Sequence, residues 1–587
     1  MPIFKKMIKL SINRAGPIWV LLISLLFGSS VRPQASSRTF VQERVSSSAQ
    51  RNPTQPETLE SLRSRIAAQI SQPRFGAATW GIKIVSLDSG KTLFEQNPQK
   101  YFNPASNAKL YTAALALDRL GADFRIKTSL YSTTRPDANG VLKGDLLVYG
   151  RGDPTMAARL NDGDYWKPLD PLVAQVVNAG VRHVEGDLVG DESFFAGPPF
   201  GSGWEWDDLQ AHYGAEVSAL TINDNAIDLF VKPAERVGLP CRITTGPITS
   251  LVTIINRTQT TAKGAATRIS VYRPAGANVI YVSGRAAING AGYTGSYAIH
   301  NPAGLFVSMF KEALARRGVT VTGRGRTIDW KYREVTPLDP TRLVEIGSVE
   351  SMPMKDVVRE TLKPSQNLWA QLLLLQVGAA VGDAGREVEQ GGRDDTTKGS
   401  RGAEGATGRG APLRASAPTS RTELALTSEE LGVESMQDFL AQAGIKEGEV
   451  LLEEGSGLSR RDVITPNATI ALLVFMSRHR LFEAYRNALP IAGVDGTLER
   501  RMQGTPAAGN VRAKTGSLRY VFTMSGYVTT ASSERLAFSI MLNNYYNVER
   551  SAALRDPSSA TTAPIPPPRE DLDAIAVMLA SFTGKSQ

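Results

Sequence analysis

Apolar residues change their spacing several times along these 587 residues, and each change marks a boundary. Ile18 to Phe27 is an apolar run broken only by Ser24, preceded by Lys5, Lys6, Lys9 and Arg14 and followed by the small residues Gly28, Ser29 and Ser30. A basic start, a short apolar run and small residues are the layout of a secretory signal peptide, and the run is well short of the ~20 residues that span a bilayer. Residues 1–35 are assigned to it; a permanent membrane anchor is the competing reading. Residues 36–56, rich in Ser, Gln, Arg and Pro, have no apolar period and predict a flexible tether.

From Glu57 onward Leu59, Leu62, Ile66 and Ile70 recur at three- and four-residue steps, the stripe of one amphipathic helix. Trp80 to Leu87, Asp88 to Lys91 and Thr92 to Phe94 then read as strand, turn and strand. Leu110, Ala113, Ala114 and Leu117 return to the helical step with residues small and apolar enough for a domain centre. Residues 138–342 are rich in short strands, such as Gly144 to Gly150 and Asn225 to Val231, and predict two inserted domains. Helical spacing resumes over Met354 to Leu362, breaks at Pro364 and restarts at Asn367 to Leu375.

Gly378 to Ser420 carries almost no large apolar residue and predicts a disordered insertion, with an ordered lid as the alternative. Helices follow at Ser435 to Ala443 and from Thr465-Pro466. Strands are predicted over Asn510 to Leu518, Thr523 to Val528 and Leu536 to Leu542, then a closing helix from Asp571 to Phe582. Helix and strands at the start, rejoined by helices and strands at the end, predict one α/β domain. It spans 57–137 and 343–587, an antiparallel sheet with helices on its faces, split by the 138–342 insertion.

Composition adds limits. A hydrophobic content of 42% and a charged content of 21% are those of a globular soluble chain. Five of the nine net positive charges come from Lys5, Lys6, Lys9, Arg14 and Arg32. What remains favours peripheral contact with an anionic membrane or wall polymer over nucleic acid. The lone Cys241 excludes an internal disulfide. His183, His212, His300 and His479 show no zinc spacing and leave a Ser-His-Asp triad little to draw on, so no metal or cofactor is expected.

Chemistry enters with Ser106 and Lys109, which a helix places on one face. A desolvated amine there can lose its charge and take the proton of an attacking hydroxyl. One Ser-x-x-Lys is weak evidence, since roughly one or two arise by chance in such a length. Two more motifs follow in order: Ser365-Gln-Asn367 on a helix-to-helix loop, and Lys514-Thr515-Gly516 on a strand. Taken singly, Ser365 or Asn367 is an N-cap and Lys514 an edge-strand charge. Together the three form the signature of serine acyl-transfer enzymes that bind penicillin.

The match extends to Phe102 to Lys109, Gly144-Asp145 with Gly152 to Pro154, Gly186 to Phe194, Trp204 to Asp207, Lys363 to Asn367, Gly455 to Arg460, Leu489 to Gly496 and Ala513 to Leu518. On these motifs the chain resembles the D-alanyl-D-alanine carboxypeptidase/endopeptidase family of low-molecular-mass, class C penicillin-binding proteins. The long gap between Ser106 and Ser365 fits that family, whose members carry extra domains there.

The resemblance implies a penicillin-binding, β-lactamase-like transpeptidase domain, and an exported enzyme of the periplasm or cell envelope. It implies peptidoglycan stem peptides as substrates and β-lactams as inhibitors. Ser106 is then the nucleophile, Lys109 its base, and Ser365 the proton relay with Lys109 and Lys514. Asn367 holds the substrate amide, and Lys514 and Thr515 face its carboxylate. Gly516 lets the substrate backbone approach, and the amides of Ser106 and Ser517 form the oxyanion hole. Asp191 is implied to contact the free amine of a diaminopimelate-type side chain; its bland reading is a turn residue. Glu454 stands where the family usually has aspartate, and Arg519 follows the third motif where a smaller residue is common. A β-lactamase and a catalytically silent penicillin-sensing or wall-binding protein are the alternatives.

Overall fold

The structure is a computed structural model that describes residues 56–394, 426–546 and 567–586. The assigned signal peptide, the tether up to Gln55, and residues 395–420 of the predicted insertion lie outside the described residues.

The catalytic half is built on a five-stranded antiparallel sheet, in the order Arg512–Leu518, Val521–Thr529, Arg535–Asn543, Thr79–Ser86, Thr92–Gln96. The first strands of the chain therefore pair with its last, Trp80 opposite Leu542 and Ile84 opposite Phe538. Alternation along each strand sends side chains to two apolar layers. Phe538 and Ile540 join Leu62, Ile66, Ile575 and Leu579 from the helices Leu59–Ile70 and Pro568–Ala580 on one face. Ala537 and Met541 join Leu110, Leu117, Trp369 and Leu473 on the other. At the centre of that second layer lies the helix Ala108–Leu120, buried from Ala108 to Leu117. Local signals set the ends of several helices: the Oγ1 of Thr58 accepts from Ser61 N, Thr427 and Glu430 form a reciprocal cap, and Thr465 caps a helix opening on Pro466.

The insertion begins and ends earlier and later, respectively, than the sequence pattern suggested. Strands Lys127–Ser132 and Val344–Glu350 pair antiparallel, and so belong to a second five-stranded sheet with Leu146–Tyr149, Leu188–Asp191 and Gly325–Ile328. Pairing the entry strand with the exit strand closes the insertion on itself, which is why 138 and 342 are not its structural limits. Leu146 and Leu188 of this sheet share one continuous apolar cluster with Ile227, Leu229, Ile280 and Val282 of two smaller sheets, bridged by Phe306 and Phe310 of the helix Pro302–Arg316.

The expected break at Gly378 is also corrected: the helix from Asn367 runs through to Asp394. Gly378 and Gly432 explain it. A Cβ on Gly378 would stand 1.9 Å from the carbonyl oxygen of Ser428, and one on Gly432 would stand 2.6 Å from that of Leu374. Small residues read as disorder here serve instead to bring this helix against Ser428–Gln442.

Candidate active site

Ser106 lies in a single 3-10 turn, Ala105–Asn107, that leads into the buried helix. Ala105 holds a left-handed φ of +45°, sparsely populated for a residue with a Cβ, so the turn is imposed by its surroundings. Asn103 does part of this: its Nδ2 donates to the carbonyls of Ser459, Arg460 and Asp462 at 3.0–3.3 Å, and its Oδ1 accepts from Ala105 N at 3.0 Å.

One turn on, Lys109 is fully withdrawn from solvent. Its Nζ donates to Ser106 Oγ at 2.9 Å, Asn367 Oδ1 at 2.6 Å and the Ser456 carbonyl at 2.6 Å. All three acceptors are neutral. Burial pulls its pKa from the usual lysine value down to about 7, with the neighbouring Glu454 and Asp462 carboxyls, Glu454 the more, opposing the fall.

Lys514 is equally buried and meets the same kind of surroundings, donating to Ser365 Oγ at 2.8 Å and Thr515 O at 2.7 Å. Burial, and then the neighbouring charge of Lys109, push it well below the ordinary lysine range. Ser365 also has a left-handed φ, +67°, in the turn between Met354–Leu362 and the Asn367 helix. That turn is held from behind. Lys363 Nζ donates to Asp495 Oδ2 at 2.6 Å and Leu489 O at 3.0 Å, and Thr497 N donates to Lys363 O at 3.0 Å. Thr497 also pairs its hydroxyl with that of Thr515 at 2.7 Å.

The strand Arg512–Leu518 is the outer strand of its sheet. Ala513 N donates to Pro490 O, away from the sheet, so strand alternation turns the N–H of Thr515 and Ser517 to the same open edge. Gly516 has a different reason from the one expected. A Cβ there would stand 2.2 Å from Thr523 Oγ1, 2.7 Å from Pro104 O and 2.9 Å from Ser106 N, so its bareness seats the strand on the nucleophile turn and leaves the Ser106 amide uncovered.

Ser106, Lys109 and Asn367 thus form one hydrogen-bonded group and Ser365 with Lys514 a second, near enough for the charge of Lys109 to act on Lys514, with Thr515, Gly516 and Ser517 on the strand that carries Lys514. Asp191 is not brought there. It ends the strand Leu188–Asp191, is 0% exposed, accepts from Arg333 at 2.6 and 2.8 Å on Oδ2 and from Ser193 N at 3.0 Å on Oδ1. Its charge is paired with Arg333 and its carboxylate is closed to solvent, the setting of a structural ion pair.

Sequence reasoning missed what the insertion does supply. The carbonyl of Tyr213 accepts from Asn367 Nδ2 at 3.0 Å, so the segment that follows the acidic Glu205, Asp207 and Asp208 reaches the centre. Glu205 lies 3.6 Å from Arg460, whose NH1 donates to Arg519 O at 3.2 Å. The Trp204 to Asp207 motif was the available signal, without a role attached. Among the described residues no group of three or more His, Cys, Asp or Glu could hold a metal ion.

The family model described as the D-Ala-D-Ala carboxypeptidase 3 (S13) family matches residues 62–394 and 420–563. A D-alanyl-D-alanine carboxypeptidase of Actinomadura sp. is 30% identical over 541 residues, covering 90% of this chain and 86% of the relative. The D-alanyl-D-alanine carboxypeptidase DacB of Haemophilus influenzae is 25% identical over 468 residues, covering 78% and 84%. In three dimensions, penicillin binding protein 4 (dacB) from Haemophilus influenzae aligns with a TM-score of 0.65 at 22% identity, over 87% of this chain and 97% of that one, so the split α/β architecture is shared. With its three motifs assembled and the family model matching most of its length, the chain belongs to the D-Ala-D-Ala carboxypeptidase 3 (S13) family of serine-type hydrolases.

Proposed function

We propose that this chain is an exported enzyme of the periplasm or cell envelope that removes the terminal D-alanine of peptidoglycan stem peptides and cuts D-alanyl crosslinks. The observation that carries the reading is Lys109 Nζ, buried among neutral oxygens 2.9 Å from Ser106 Oγ. In that setting the amine is a base near neutral pH. Ser106 Oγ attacks the carbonyl carbon of the penultimate D-alanine while its proton passes to Lys109. The oxyanion is met by the amides of Ser106 and Ser517, each such donor contributing about 3 kcal/mol in related acyl chemistry. Collapse breaks the C–N bond, and the leaving amine takes its proton from Ser365 Oγ, which regains one from Lys109 by way of Lys514, so that Lys109 is again a base for the attacking water. Water then cleaves the ester and restores Ser106.

Asn367 meets the substrate amide, and the paired hydroxyls of Thr515 and Thr497 meet its carboxylate with Lys514 behind them. For a cationic stem-peptide side chain, Glu205, Asp207 and Asp208 are better placed than Asp191. Contact with the wall or membrane is peripheral in this reading; no helix among the described residues is long and apolar enough to cross a bilayer.

β-Lactams acylate the same serine and are released slowly. Glu454 and Asp462, the carboxyls that act on Lys109, are buried and bonded to loop amides, so neither is set to activate water at the ester. This favours an inhibited enzyme over a β-lactamase. The test is incubation with a crosslinked muropeptide. Free D-alanine and monomer are expected; neither product from folded protein overturns the hydrolase reading in favour of a silent binding protein. With one equivalent of penicillin, mass spectrometry should find a persistent adduct on the Ser106 peptide.

A further inference from the structure

The loop Glu454 to Asp462 lies outside the three motifs, yet it carries the carbonyl that grips Lys109. Its hub is Glu454, 1% exposed. Glu454 Oε2 accepts from Ser456 N at 2.6 Å, and Oε1 accepts from Gly457 N, from Leu458 N at 2.9 Å and from Ser459 N at 3.4 Å. One carboxylate therefore folds four successive amides around itself and turns the Ser456 carbonyl to Lys109 Nζ. The loop has no slack against the nucleophile turn, because a Cβ on Gly457 would stand 2.0 Å from Ala105 O.

Asp462 is fully buried beside it. Its Oδ1 accepts from Glu453 N at 2.9 Å, whereas its buried Oδ2 has no hydrogen-bond partner, and the Asp462 carboxyl as a whole lies against that of Glu454. The cations of the same loop are turned elsewhere, Arg460 toward Glu205 and Arg461 onto Glu453. Two touching carboxyls in a dry site do not both ionise; one keeps a proton and donates it to the other. Four amide donors favour charge on Glu454, and the donorless oxygen favours the proton on Asp462.

We infer that Glu454 and Asp462 share one proton, carried by Asp462 Oδ2, and that the single charge left on Glu454 is a positioning device that sets the pH at which Lys109 becomes the base. The inference rests on the acylation of Ser106 proposed above. Burial and the Glu454 charge push Asp462 well above the carboxylate range, in agreement with the proton's place. The groups facing Lys109 are few: Ser106 on its own turn, Asn367 from the neighbouring helix, Lys514 from the strand, and the Ser456 carbonyl with Glu454 and Asp462 from this loop. Lys514 disfavours the ammonium form and Glu454 favours it, so removing the Glu454 charge makes Lys109 a base at lower pH.

The test is the rate of acylation by a fluorescent penicillin as a function of pH, on the full chain, for the wild type, Glu454→Gln and Asp462→Asn. The wild-type acid limb is expected near pH 7. Glu454→Gln should lower its midpoint by about one unit or more. Asp462→Asn replaces the protonated acid by a neutral isostere that still donates to Glu454, and should leave the midpoint in place. A purely structural role would slow both variants equally at every pH without moving either midpoint. A midpoint that stays put in folded Glu454→Gln, or that falls as far in Asp462→Asn, overturns the inference. Should Glu454→Gln not fold, Asp462→Asn alone still decides where the proton sits. Absence of any Ser106 adduct in the wild type would instead sink the acylation reading, leaving the two failures distinguishable.

Discussion

Lys109 and Lys514 in the catalytic half and Asp191 in the insertion are all withdrawn from solvent, but they are treated in opposite ways. Asp191 meets the guanidinium of Arg333 and an amide, so its charge is compensated where it sits. The lysines meet hydroxyls, a side-chain amide and carbonyls, none of which repays the loss of water around an ammonium. Burial with a counter-charge fixes a fold; burial without one moves the proton equilibrium to where chemistry can use it. Polarity of the acceptors, more than depth, separates the structural buried charge from the reactive one.

The severest way to break the comparison is Ser106→Ala. It should abolish covalent labelling by penicillin and leave the thermal transition nearly unmoved, because a hydroxyl lost at a half-buried helix entry is a small structural change. Labelling that persists would place the nucleophile elsewhere. Lys109→Met keeps the buried stem and removes the base, and should slow acylation by about 100- to 10,000-fold, read in a stopped-flow binding trace. In the wild type the same trace should quicken as pH rises through about 7, since the amine must lose its proton before it can accept one.

Asp191→Ala should do the reverse. It strips the partner from a largely buried Arg333 and should cost about 3 kcal/mol of stability in a denaturant titration, with acylation per folded molecule unchanged. A specific loss of muropeptide turnover at full stability would return Asp191 to the substrate. The smallest effect is expected from Arg273→Met. This buried arginine donates to the carbonyl of Leu209 at 2.7 Å, and its own amide donates to Gln210, which anchors the segment leading to Tyr213. Freeing that segment should raise KM for the peptide several-fold with kcat and penicillin acylation little altered.

Not every polar cluster could be weighed from the chain alone. Asp191 and Glu454 are both acidic residues beside motif glycines, and nothing local distinguishes them. Arg333 lies 142 residues from Asp191 and the Lys109 amine comes from a distant helix, so their roles depend on pairings that sequence spacing does not encode. Gly378 makes the same point for packing: its lack of a side chain is a disorder signal by composition and a helix contact once Ser428 is placed against it.

Much of what short-range order carries was legible in the chain alone. Apolar periods located the sheet's strands and the buried helix, Pro364 located the turn bearing Ser365, and three ordered motifs named Ser106, Lys109, Ser365, Asn367 and Lys514. Those signals work because a helix or strand fixes side-chain direction within a few residues. Tertiary structure decided the rest: that Lys127–Ser132 and Val344–Glu350 pair to close the insertion, that Asp191 belongs to Arg333, that Tyr213 lends its carbonyl to Asn367, and that Glu454 governs the loop on Lys109. Each of these is a contact between distant segments, and the energy of a buried polar group is set by whichever partner the fold brings to it.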